Sequence, residues 1–118
     1  MKNFLAVFTG TPAAMAQSRW DALSEQQREE RTQAGIKAWG AWMQTHAKQI
    51  VVSGGPIGKT QRVSPAGIEA AHNNICGYVV VSAESHEAAS RLFDQHPHFA
   101  IFPGEAVEVM ECLPVPGA

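Results

Sequence analysis

The chain has 118 residues, 45% of them apolar and 17% charged, with a formal net charge of -2 and a sequence pI near 6.2. That length reads as one domain, residues 1–118, with room for a real core, and the charged share is on the low side for a globular surface. Such a balance supplies no basic stripe to draw a phosphate backbone, which argues against nucleic acid as a partner, and no apolar run exceeds a strand, which argues against a membrane-spanning helix.

Phe4-Leu5-Ala6-Val7-Phe8 predicts the first strand. Together with Lys2 and Ala14-Met15-Ala16 it superficially resembles a secretory signal, but Thr9-Gly10-Thr11-Pro12 interrupts the apolar run sooner than such a signal allows. Thr9 to Ser18 reads as a loop of small residues, and Arg19-Trp20-Asp21 as a short turn packed through Trp20. Ser24 and Gln27 have the spacing of a capping box, and Glu25 adds an acid to the first helical turn, where the backbone dipole favours it. Ile36, Trp39 and Met43 then recur at helical steps, with Trp42 one position aside, which predicts a core-facing stripe. His46, Lys48 and Gln49 close that helix, Ile50-Val51-Val52 begins a second strand, and Gly54-Gly55-Pro56 stops it.

The weakly patterned connection from Ile57 to Asn74 is long enough for a hairpin arm or an exposed flap. A third strand runs from about Cys76 to Ser82, and Ser85 caps a second helix whose buried side is Ala88, Ala89, Leu92 and Phe93. His96-Pro97-His98 ends it, since proline pushes its predecessor out of helical geometry, and Pro103-Gly104 turns the chain into a fourth strand that ends at Leu113. The order β-α-β-β-α-β is that of an α+β, ferredoxin-like sandwich. Three of its strands, Phe4–Phe8, Gly77–Val81 and Ala106–Met110, are apolar on both faces, yet two helices cover only one face of a four-stranded sheet. The other face calls for another cover, most simply an identical sheet from a second subunit, so the expected particle is an assembly of two copies with a cavity. Cys76 and Cys112 lack metal-type spacing and read as small buried apolar residues of a reducing, cytoplasmic compartment.

His98 stands where a loop meets the expected cavity, and an imidazole there is a natural proton carrier, against the plainer reading of a helix-ending cation. His96 is its weaker twin, as a ligand contact. The two supply only two ligands and no acidic or cysteine partner by spacing, so no metal is expected. Glu108 interrupts an apolar strand on the side shared by Met110 and Cys112; a buried carboxylate gains proton affinity and can serve as a base, or it can pair structurally at an edge or with a partner subunit. Glu111 falls on the opposite side. Trp39 and Trp42 are core residues by spacing, or one of them walls a pocket for a flat or apolar ligand with Tyr78 opposite. Ser53-Gly54-Gly55-Pro56-Ile57-Gly58-Lys59-Thr60 invites a phosphate-loop reading that fails, because its first position is Ser53 and Gln61-Arg62-Val63-Ser64-Pro65 starts no helix.

Gly54-Gly55-Pro56-Ile57, Gly77-Tyr78, Ala83-Glu84-Ser85 with Glu87-Ala88, His96-Pro97-His98 and Val107-Glu108-Val109 come in an order that resembles the YCII-related proteins. The likeness extends to the branch named for an Asp-Gly-Pro-Phe motif, within the dimeric α+β barrel superfamily. The resemblance runs from Met1 to about Pro116 and implies a face-to-face dimer with a pocket between sheet and helices. Superfamily relatives include lactone isomerases and cofactor-poor monooxygenases. This chain has Gly54 where the named motif has aspartate, and no histidine soon after the first strand, so the family's His-Asp pair does not carry over. The expectation is a homodimer binding a small apolar or aromatic molecule, with cofactor-independent proton transfer by His98 helped by Glu108 or Ser53. A non-catalytic ligand-binding or regulatory module is the alternative, and a purely structural piece is a third if Trp39, Trp42 and Phe93 fill the cleft.

Overall fold

Strand β1, Lys2–Thr9, lies inside the sheet: in the computed structural model, which describes residues 1–117, it is hydrogen-bonded on both sides. Its neighbours are β5, Ile75–Ala83, and β6, Ala106–Glu111, both antiparallel; β2, Ile50–Pro56, pairs with the far edge of β5, giving the order β2-β5-β1-β6. Helix α2, Glu25–Thr45, joins β1 to β2, and the short α3, His86–Arg91, and α4, Pro97–Ala100, join β5 to β6. The expected ferredoxin-like α+β topology is present, and the capping box predicted at Ser24 and Gln27 closes both of its bonds.

The side chains of a strand alternate, and the register turns Phe4, Ala6 and Phe8 to the same side as Val79 and Val81 of β5 and Val107 and Val109 of β6. This inner face carries the core, joined by Ala89 and Phe93 and, less completely, by Trp39, Trp42 and Leu92. The outer face presents Leu5, Val7, Tyr78, Val80 and Met110, with Val52 from β2. Val7 is buried there, whereas Met110 keeps 40% of its surface and Val52 44%.

Three expectations change. Thr9 to Ser18 is not all loop: Pro12–Ser18 forms helix α1, whose N-cap Thr11 accepts a hydrogen bond from the Ala14 amide at 3.1 Å. A threonine followed by proline at the first helical position is a helix start, and the small residues hid it. Gly54 does not stop β2, which bulges there and continues to Pro56. Cys76 and Cys112 are free thiols on residues exposed overall, because both sit near strand ends, outside the buried core. The connection from Ile57 to Asn74 does hold an arm, a hairpin of β3, Thr60–Ser64, and β4, Gly67–Ala71. Among the described residues no helix is long and apolar enough to cross a membrane.

Candidate functional site

Between α2 and the β2 end of the sheet lies a cavity of about 410 Å³. Ile36, Trp39, Gly40, Trp42 and Met43 line it from the helix and Phe8, Gly77 and Val79 from the sheet, and Phe102 and His98 also belong to the lining. No charged side chain lines it, so the site suits an uncharged or weakly ionised molecule with flat apolar surfaces. The helical stripe expected from Ile36, Trp39 and Met43 is therefore the wall of an open cleft: Ile36 remains 57% exposed and the only wholly buried residue of α2 is Gly35.

His98 reaches the cavity because α4 begins immediately before it, with proline at the first helical position and His96 as the N-cap. The His98 ring is held by the carbonyl of Thr9, 2.7 Å from Nε2. A carbonyl only accepts, so Nε2 carries the proton and, in the neutral ring, Nδ1 carries the lone pair. That Nδ1 makes no hydrogen bond within the described residues. Burial pushes the His98 imidazole below its ordinary pKa, and the Thr9 carbonyl partly offsets this. The same carbonyl accepts the Glu105 amide at 2.9 Å, while the Thr9 hydroxyl donates to a Glu105 carboxylate oxygen at 2.9 Å. The strand end that positions His98 is thus itself clamped. Gly104 completes the seat: a Cβ there would collide with the His98 ring.

His96, also expected to touch ligand, does not line the cavity. It is fully buried, its Nδ1 accepting the His98 amide at 3.0 Å, and it is packed among Phe8, Trp39, Trp42 and Phe93, the closest ring being Trp39 at 4.5 Å. Nε2 must then bear the proton in the neutral ring, and it has no hydrogen-bond partner among the described residues. Removal from water, then the neighbouring His98 and His46, depress its pKa to about 4.

Of the other candidates, Trp39, Trp42 and Ser53 meet His98 in this cavity. Trp42 is tied down by its indole N–H, which donates to the Leu92 carbonyl at 2.8 Å. Tyr78 reaches the lining, but its register sets it opposite Val7, on the other side of β5 from Gly77 and Val79. Glu108 is not brought here: it also lies opposite Val7, exposed on the outer face, so it cannot assist His98 within one chain. Nor is there an acid at Gly54, whose backbone has φ 61° and where a Cβ would strike the Tyr78 carbonyl oxygen. Sequence reasoning missed Phe8, Phe102 and Gly104 as site residues, and it missed Cys76, whose thiol donates to the Phe8 carbonyl at 3.2 Å and is pushed up in pKa by burial. Phe102-Pro103-Gly104 carried a signal, an aromatic residue tied to a tight turn, that reads as a turn alone without its neighbour His98. No group of three or more His, Cys, Asp or Glu side chains that could hold a metal ion converges among the described residues.

No model of a known protein family matches the chain, and no curated protein does. Among solved structures it is similar to 5-chloro-2-hydroxyhydroquinone dehydrochlorinase (TftG) from Burkholderia phenoliruptrix AC1100, in complex with 2,5-dihydroxybenzoquinone. The identity is 18% and the TM-score 0.51, over 91% of this chain and 89% of that one. At that identity the likeness speaks for the fold alone.

Proposed function

We propose that the chain is a YCII-related, cytoplasmic homodimer that binds a small flat, apolar or aromatic molecule in the cavity beside its sheet, with His98 as a proton carrier. One observation carries this reading: a histidine whose Nε2–H is fixed on the Thr9 carbonyl at 2.7 Å, leaving Nδ1 without a partner among the described residues in a ring that lines a cavity with Trp39, Phe8 and Phe102. A neutral imidazole of lowered pKa is in its base form at neutral pH. It can take a proton from a ligand hydroxyl or acidic C–H and return it to another atom of the same ligand in an isomerisation, or to a leaving group in an elimination. Ser53, on the same cavity wall, is available to hydrogen-bond a ligand oxygen. The dimer is supported by the apolar outer face and by the fold class.

A non-catalytic binding module is the second reading, favoured by the lack of any carboxylate on the cavity wall, since Gly54 bears no side chain and Glu108 faces away. The purely structural reading fits poorly, because Trp39 and Trp42 leave the cleft open. The test is a titration with 2,5-dihydroxybenzoquinone and simple phenols, followed by tryptophan fluorescence, beside native mass spectrometry for retained ligand. Saturable binding that His98→Ala weakens about tenfold or more supports the site, as loss of one charge-polarised hydrogen bond would. Binding indifferent to His98→Ala removes His98 from it, and bound ligand that emerges unaltered, with no solvent deuterium incorporated, selects the non-catalytic reading.

A further inference from the structure

The β3–β4 hairpin has one finished side and one unfinished side. Its register pairs Arg62 with Glu69 on the first, where the two charges meet at 3.7 Å. On the second it pairs Val63 with Ile68 and Gln61 with Ala70. Val63 is 75% and Ile68 70% exposed, though they sit in mid-strand with every backbone neighbour well formed. The hairpin makes no more than slight contact with any other element. An isolated two-stranded hairpin is marginal in water, and strands whose apolar residues share a side are built to be covered.

The size of the subunit says what covers them. The chain measures 55 × 42 × 19 Å with a radius of gyration of 16.3 Å, against about 13.5 Å for a compact domain of its length. Four strands about 4.8 Å apart and six to nine residues long offer an outer face of roughly 400–600 Å², whereas a stable dimer covers about 800 Å² on each partner. The sheet face alone leaves a shortfall, and an arm about 17 Å long with an apolar side is the size of what is missing.

We infer that each hairpin is an arm that clasps a second copy of this chain, laying Val63 and Ile68 on the partner subunit. The inference rests on the homodimer proposed above and adds a second contact to it. It also ties assembly to the site, because Pro56 and Cys76, which flank the arm at its two roots, line the cavity. Seating the arm fixes that rim.

Val63→Lys with Ile68→Lys in the full chain, compared with Arg62→Ala with Glu69→Ala on the finished side, tests it by analytical ultracentrifugation, with circular dichroism as the check on folding. The lysine pair is expected to weaken dimerisation about a hundredfold, which burial of two such side chains in each arm readily accounts for, while the alanine pair leaves it within a few-fold. Val63→Ser with Ile68→Ser serves if the lysine variant is misfolded, with the same direction of change. A folded variant of either kind that dimerises like the parent chain overturns the arm contact while leaving the sheet-to-sheet dimer standing. A parent chain that is monomeric overturns both.

Discussion

His96 and His98 are two residues apart and have opposite surroundings. His98 has a protonated nitrogen on a carbonyl, a second nitrogen with no partner among the described residues, and a place in the cavity lining; His96 has an accepting nitrogen on the next helix and a donating one that meets only aromatic rings. Charging His96 would cost both the cap of α4 and the price of an ion in the core. With its pKa lowered from 6.5 to about 4, the folded state binds fewer protons than the unfolded chain between those values, so stability is fully present above pH 6.5 and falls as the pH drops toward 4. A shift of that size amounts to about 3 kcal/mol at its limit. Urea melts of the parent chain and His96→Phe from pH 7 to 4 are expected to show that loss in the first and not the second. Parallel curves would mean that some other group governs acid stability. His96→Asn keeps an acceptor for the His98 amide, so it should preserve the Nε2–H tautomer of His98, read from long-range ¹⁵N spectra, which His96→Phe disturbs. The motif His96-Pro97-His98 was legible as a helix boundary with a proton carrier in it. Which imidazole faces ligand was not, because that depends on a four-residue helix starting at Pro97 and on the distant Thr9 carbonyl.

Elements declared themselves where a period or a cap was strong. The spacing of Ile36, Trp39 and Met43 and the Ser24–Gln27 box gave α2 and its orientation, and Ser85 gave α3, its side chain accepting the Ala88 amide at 3.0 Å. Periodicity does not say whether an apolar stripe meets another side chain or empty space, so the cavity itself was invisible. Gly54 was read as punctuation, and it is instead a bulge that continues β2 in the left-handed region. Restoring an acid there would therefore not rebuild a His-Asp pair. Gly54→Asp should lose roughly 2–3 kcal/mol to backbone strain and to the clash with the Tyr78 carbonyl, measured as a fall in the denaturation midpoint. A stable Gly54→Asp chain would show that the strand can re-register and admit the side chain.

At the scale of the whole molecule, the sequence carries more apolar strand surface than one copy covers, and this was legible because strand alternation assigns each residue to a face without any knowledge of packing. Phe4, Ala6 and Phe8 are sealed under the helices, while Val52 and Met110 on the other face stay 44% and 40% exposed. Glu108 gains a different meaning here: it is a lone carboxylate on the apolar outer face, away from the cavity that holds His98, where any cover would have to bring it a donor. The outer face and the arm then make separable demands. Val80→Lys with Met110→Lys strikes the sheet contact alone, since Val80 and Met110 each flank Leu5 in register and neither touches the inner core. Native mass spectrometry of the parent chain is expected to give twice 12.7 kDa, and the double lysine variant 12.7 kDa, with secondary structure retained. Thermal midpoints of the parent should rise with protein concentration and those of the variant should not, because assembly stabilises the folded state by mass action. A variant that still dimerises, with a concentration-dependent midpoint, would mean that the sheets do not meet through this face and that the exposed apolar surface serves another contact.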